Sequence, residues 1–286
     1  MSWAAADGKA WPSYATPIVE REAWQTLLDS QDRRVWMEAL AAYAGTADRD
    51  PVFDAGLIAV RDQATGNSPM SSVPNADTRL IRALDAALPL YLRHWWPAHD
   101  AQNRAWIQSA AGLLRKAEND MARRLQAAWG GQWPGSPVQV DVVKYPNALG
   151  AYTTGQRITI SSANPGYRMP QSIEMLFHEA SHLDALETPL ERLIDETFAQ
   201  LGKKPPETLW HDMIFFTAGT ITQLVLQDLG QPGYVPYGQF GVYQRGARWQ
   251  VQMPLFEKFW RPFLESASAD AQARRQAFSA VAERLD

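Results

Sequence analysis

Five histidines occur in the chain, at positions 94, 99, 178, 182 and 211, and two of them stand in the run His178-Glu179-Ala180-Ser181-His182. On a helix, residues four apart lie one above the other, so His178 and His182 can turn two imidazoles toward a single ion. Glu179, offset by one position, can reach a water at that ion without being a ligand. Imidazoles that hold a Lewis acid, with a carboxylate that takes a proton from attacking water, are the parts needed for metal-assisted hydrolysis. The chain has no cysteine, so any ion must be held by nitrogen and oxygen, and thiolate zinc sites, iron–sulfur clusters, disulfides and cysteine nucleophiles are excluded. A catalytic zinc ion usually takes three protein ligands. His211 is the expected third, on the separate run Glu207-Thr208-Leu209-Trp210-His211-Asp212. Glu191, Glu196, Glu207 and Asp212 are the alternatives.

The elements that must carry these groups can be read from periodicity. Pro170 suits a first helical turn, and Ile173, Leu176, Phe177, Ala180 and Leu183 supply apolar contacts, which predicts a helix over 171–187 ended by Thr188-Pro189. Further helices are expected at 190–200 and 207–229, with a last helical region over 254–285. Upstream, Gly130 through Pro137 breaks a helical run, and strands are expected at 138–144, 149–153 and 157–161. Ile158 and Ile160 alternate with Thr159 and Ser161, the pattern of a sheet covered on one face. The alanine-rich first part predicts helices near 20–44, 77–94 and 99–129, the last with a stripe of Trp106, Ala110, Leu113, Leu114, Ala117, Met121 and Leu125. The stretch 50–76 reads as irregular around a strand at 57–61.

The run His178 to His182 resembles the zinc-binding helix of the zincin metallopeptidases, and the likeness covers residues 138–245. It implies a mostly helical α+β fold with a small sheet packed against the active-site helix, a second helix carrying another ligand, and zinc as cofactor. The resemblance also implies that Arg157-Ile158-Thr159-Ile160-Ser161 is the edge strand that pairs with an extended peptide. Metallopeptidases often bring a donor from a later loop to the developing oxyanion. In the segment 234–245 Tyr237 and Tyr243 are the expected donors, with Arg245 behind them. After His182 comes Leu183-Asp184-Ala185, which is neither the extended metzincin motif nor followed by the Asn-Glu-x-x-Ser-Asp segment of thermolysin-like enzymes.

Three regions are expected: a helical N-terminal region over 1–130, a zincin-like catalytic core over 131–253, and a C-terminal helical region over 254–286, packed as one compact unit because no long polar linker separates them. Nine acidic residues against three basic ones between Ser172 and Met213 favour a cation, and Asp184, Glu187, Asp195 and Glu196 are placed to orient ligand imidazoles. A net charge of -4 gives no general attraction to a phosphate backbone, so no nucleic-acid partner is expected. No apolar run reaches the roughly 18 residues of a membrane span, which argues for a soluble protein; a periplasmic or secreted location stays open through a removed leader. His94 and His99 read as helix-end packing, the scattered tryptophans as core, and Ser161, Ser162 and Ser181 lack a nucleophile elbow. The expected activity is zinc-dependent peptide-bond hydrolysis with Glu179 as general base on a peptide or protein substrate. The alternatives are hydrolysis of a nonpeptide amide or ester, and a non-catalytic metal-containing binding protein. The oligomeric state is left open.

Overall fold

The computed structural model describes residues 24–46, 52–65, 77–146, 149–244 and 246–285. Helices dominate it, and a single small mixed sheet accompanies them, so the chain is a mostly helical α+β protein. In chain order the elements are α1 (Trp24–Leu27), α2 (Ser30–Ala44), α3 (Ala55–Thr65), α4 (Thr78–His94), α5 (Trp96–Trp129), β1 (Gln139–Val143), β2 (Ala151–Thr154), β3 (Arg157–Ser161), α6 (Gln171–Ala180), α7 (Asp184–Gln200), α8 (Leu209–Asp228), α9 (Ala247–Leu255), α10 (Arg261–Ser266) and α11 (Ala271–Ala282). Among the described residues no helix is long and apolar enough to cross a membrane.

Contacts divide the chain into two compact units. The first comprises Met1–Ile107, Val140–Thr154 and Thr159–Pro165, and the second Gln108–Gln139, Gly155–Ile158 and Gly166–Asp286. The division therefore falls elsewhere than at 130 and 253, and the C-terminal helices share a unit with the His178 helix. In the first unit, α2 and α4 start on aspartate caps: Asp29 accepts the N–H groups of Gln31 and Asp32, and Asp77 those of Arg79 and Leu80. Their apolar faces meet around Leu28, Ala39, Ala87 and Leu90, and Trp36 stacks on Trp95 at 4.3 Å between ring centroids. His99 is buried with Nδ1 3.0 Å from the Tyr91 hydroxyl, which is a packing role.

Three expectations about the strands fail here. Residues 57–61 form part of α3 rather than a strand, because a short apolar run suits either state, and the Asp54 side chain, accepting from Leu57 N–H at 2.9 Å, supplies a helix start. The sheet has the order β1-β3-β2, so Arg157–Ser161 is its central strand and not an edge. β3 closes a hairpin with β2 through Gly155, at φ +57°, and has β1 on its other side. Both of its backbone edges are used, and it cannot add a substrate strand. Its two faces are covered as well: Ile158 and Ile160 on one, Thr159 and Ser161 on the other, all under 5 % exposed.

The second unit is built around α8, whose buried residues lie on every side of the helix, from Leu209 and Met213 to Val225 and Leu226. Packed against it in one core are Met121, Leu125 and Trp129 of α5, Phe177 of α6, Leu190 and Phe198 of α7, and Trp249, Phe256, Trp260 and Phe278 of the C-terminal helices. The stripe read on α5 is the face that is buried, with Trp106, Ala110, Ala117, Met121 and Leu125 all enclosed.

Candidate metal centre

The helix that carries the first histidine is shorter than its periodicity suggests. α6 ends at Ala180, and the chain tightens into bonds from Ser181 N–H to His178 O, His182 N–H to Glu179 O and Leu183 N–H to Ala180 O. The break is made by Ser181, whose hydroxyl donates to Phe177 O at 2.9 Å and accepts from Trp129 Nε1 at 3.3 Å. Leu183 is extended, and α7 starts anew at Asp184. Pro189, expected to end the first helix, lies inside α7, where a proline near the N-terminus removes only one backbone bond. The carbonyl left free by that proline, Ala185 O, faces Gly131, where a Cβ would stand 2.2 Å away.

The break matters for the site because it brings the first turn of α7 back to His182. His182 Nδ1 lies 2.9 Å from Glu187 Oε1. A carboxylate oxygen accepts, so this contact favours the tautomer with its proton on Nδ1 and its lone pair on Nε2. Glu187 is one of the four residues expected to orient a ligand imidazole.

α6 and α8 run antiparallel with a regular correspondence of positions. The His182 and His211 rings are 5.3 Å apart, those of His178 and Phe215 are 4.1 Å apart, and Gly219 lies against Glu174. Each step moves one turn back along α6 and one turn forward along α8. The two lower steps bring three imidazoles together: His178 is 5.2 Å from His182 and 5.3 Å from His211 between ring centroids. One nitrogen of each lies within 4.8 Å of the others, and this is the group of residues able to hold a metal ion among those described. Glu191, Glu196, Glu207 and Asp212 are not in it. Asp212 is fully buried, its Oδ2 taken by Arg248 Nε at 2.8 Å and Thr208 Oγ1 at 3.0 Å.

The group fits a divalent ion with a preference for nitrogen. Burial, then the neighbouring imidazoles His182 and His211, holds His178 well below the usual histidine range; burial, then His182 and Arg248, pushes His211 down to about 4. Both are therefore neutral imidazoles at pH 7, the form able to bind a metal ion. His178 Nδ1 is buried without a hydrogen-bond partner. His178 is 3 % exposed, whereas His182 and His211 are half-buried, which leaves one side of the group open to solvent. Glu179 follows His178 directly and is 5 % exposed.

The loop residues expected at an oxyanion take other positions in the same unit. Tyr243 donates to Phe215 O at 3.4 Å and packs on Trp249 at 4.6 Å between centroids. Tyr237 packs on Tyr167, and its backbone N–H donates to Glu174. Arg245 lies outside the described residues. Sequence reasoning missed Phe215, Trp210 and Glu174. Phe215 touches His178 and His211, Trp210 touches His182 and His211, and Glu174 is one turn before His178. The signal was present as four-residue spacing, 174-178-182 on one segment and 211-215-219 on the other, but only the facing of the two helices gives it meaning. The chain matches no known family, no curated protein and no solved structure in comparisons of sequence and fold.

Proposed function

We propose that this protein is a zinc-dependent hydrolase of peptide bonds, with His178, His182 and His211 as the metal ligands and Glu179 as the general base. The observation that carries this reading is the convergence of three imidazoles, from α6, from the turn that follows it and from α8, the first of them followed directly by a buried glutamate. Zinc bound there would polarise the scissile carbonyl and lower the pKa of a water to near neutrality. The protein's own groups do the rest. Glu187 engages His182 Nδ1, which leaves Nε2 as the nitrogen that would hold the ion. Glu179 accepts the proton of the attacking water on its carboxylate and returns it to the amine nitrogen as the C–N bond breaks. Phe215 and Trp210 wall the group with aromatic rings and limit access of bulk water. With β3 enclosed between two strands, it would not be the strand that pairs with an extended substrate.

The test is elemental analysis of protein purified without added metal, then chelation, reloading with zinc, and assay on mixed peptides beside a library of small amides and esters. About one zinc per chain and peptide turnover that returns with the metal are expected. Turnover confined to nonpeptide substrates would replace the peptidase reading with that of an amide or ester hydrolase. Zinc without any turnover would leave a metal-containing binding protein.

A further inference from the structure

Glu174 is a buried acid that the proposed chemistry does not use. It is 1 % exposed, in the middle of the α6–α8 contact, one turn before His178. One carboxylate oxygen, Oε2, accepts from the Tyr234 hydroxyl at 2.5 Å and from the Tyr237 backbone N–H at 2.8 Å. The other, Oε1, is buried without a partner and lies against Gly219, where a Cβ would stand 3.1 Å from it and 2.8 Å from Pro236 Cβ. From α8, Gln223 Nε2 donates to Tyr234 O at 3.0 Å. The segment Tyr234 to Tyr237 is thus fastened to both helices, and Gly219 provides the space for it by having no side chain.

The contacts continue from that fastening to the metal group. Gly238 packs so closely on the Tyr243 ring that a Cβ there would be 2.2 Å from Tyr243 Cζ. Tyr243 in turn donates to Phe215 O, and the Phe215 ring is 4.1 Å from His178. A buried polar group is kept at a cost unless it is satisfied, so a carboxyl that leaves one oxygen unpaired in order to hold two donors of one loop has a positioning task. We propose that Glu174 is the positioning residue that fastens the 234–243 segment across the α6–α8 contact, and through Tyr243 sets the Phe215 wall beside His178. The bearing of that wall on substrate rests on the metal-site reading above; the fastening stands apart from it.

Hydrogen exchange read by mass spectrometry on the full chain, zinc-loaded and metal-free, tests the proposal, with exchange in 231–244 compared against 171–180. Glu174→Ala should raise exchange in 231–244 by about tenfold or more while 171–180 stays protected. Glu174→Gln, whose carbonyl oxygen can accept both bonds, should bring exchange back to within about threefold of the unsubstituted protein. Tyr234→Phe removes one donor without removing the ring and should give an intermediate rise. Unchanged exchange in E174A, or E174Q as fast as E174A, would overturn the proposal. If E174A does not fold, Y234F decides, and exchange equal to that of the unsubstituted protein then overturns it. Failure of the unsubstituted chain to bind zinc would remove the metal reading alone, because the exchange comparison is made without metal as well.

Discussion

His182 and Glu187 are hydrogen-bonded, at 2.9 Å, across a break in the helix rather than along one. The bond orients the His182 imidazole from a residue on the next helix, so the proposed metal site depends on the turn at Ser181–Leu183 as much as on the histidines. Carboxylates in this position typically contribute about 10- to 100-fold to metal affinity. Glu187→Ala should therefore weaken zinc binding by that order, measured by competition with a chromogenic chelator, with circular dichroism unchanged. Unaltered affinity would mean that another group orients His182.

Among the described residues His211 is the member of the three-histidine group that comes from outside the His178 to His182 run. His211→Ala should weaken zinc binding far more than His94→Ala or His99→Ala, since His99 is engaged with Tyr91 in the other unit. The same titration checks it. Equal affinities for all three variants would remove His211 from the site.

Glu179→Gln separates holding the ion from using it. The amide has nearly the carboxylate's size but takes no proton at neutral pH, so zinc occupancy should persist while hydrolysis falls by about 100- to 10,000-fold. Turnover like that of the unsubstituted protein, in folded and zinc-loaded E179Q, would refute the role of Glu179 as base.

Glu174 gives the fold a pH dependence of a definite sign. Burial, against the Tyr234 and Tyr237 hydrogen bonds, pushes its carboxyl up from 4.5 to about 7. The titratable groups facing it are the hydroxyls of Tyr234 and Tyr243, themselves pushed up mainly by burial, so they stay protonated throughout. A folded value raised above the unfolded one contributes stability that is fully present below about pH 4.5 and is lost as pH rises through about 7. The stability of the metal-free protein relative to E174Q should accordingly fall between pH 4.5 and 8, by up to about 3 kcal/mol. Urea unfolding of both proteins at several pH values measures it. A difference that does not vary with pH would show that Glu174 does not titrate in this window.

Much of the architecture was legible in the chain because local rules act locally. The stripe on α5 has one period that buries one face, and the Gly and Pro residues of 130–137 end that helix ahead of three short strands. The stretch 57–61 was ambiguous for the same reason: four apolar residues carry no period, and the Asp54 cap decided the outcome.

His178, Glu179 and His182 stood out in the sequence as a candidate group, since residues four apart on a helix turn two imidazoles toward one point. The tertiary structure decided the rest. Whether His211 or a carboxylate joined them depended on the facing of α6 and α8, which places His211 over His182 and turns Asp212, one residue on, toward Arg248. That β3 is central and not an edge depended on which side β1 took, a pairing between distant segments that no alternation within one strand encodes. The tasks of Glu174 and Gly219 arise because a carboxyl and an absent side chain acquire meaning only from what packs between them, and the loop that does so begins 60 residues after Glu174.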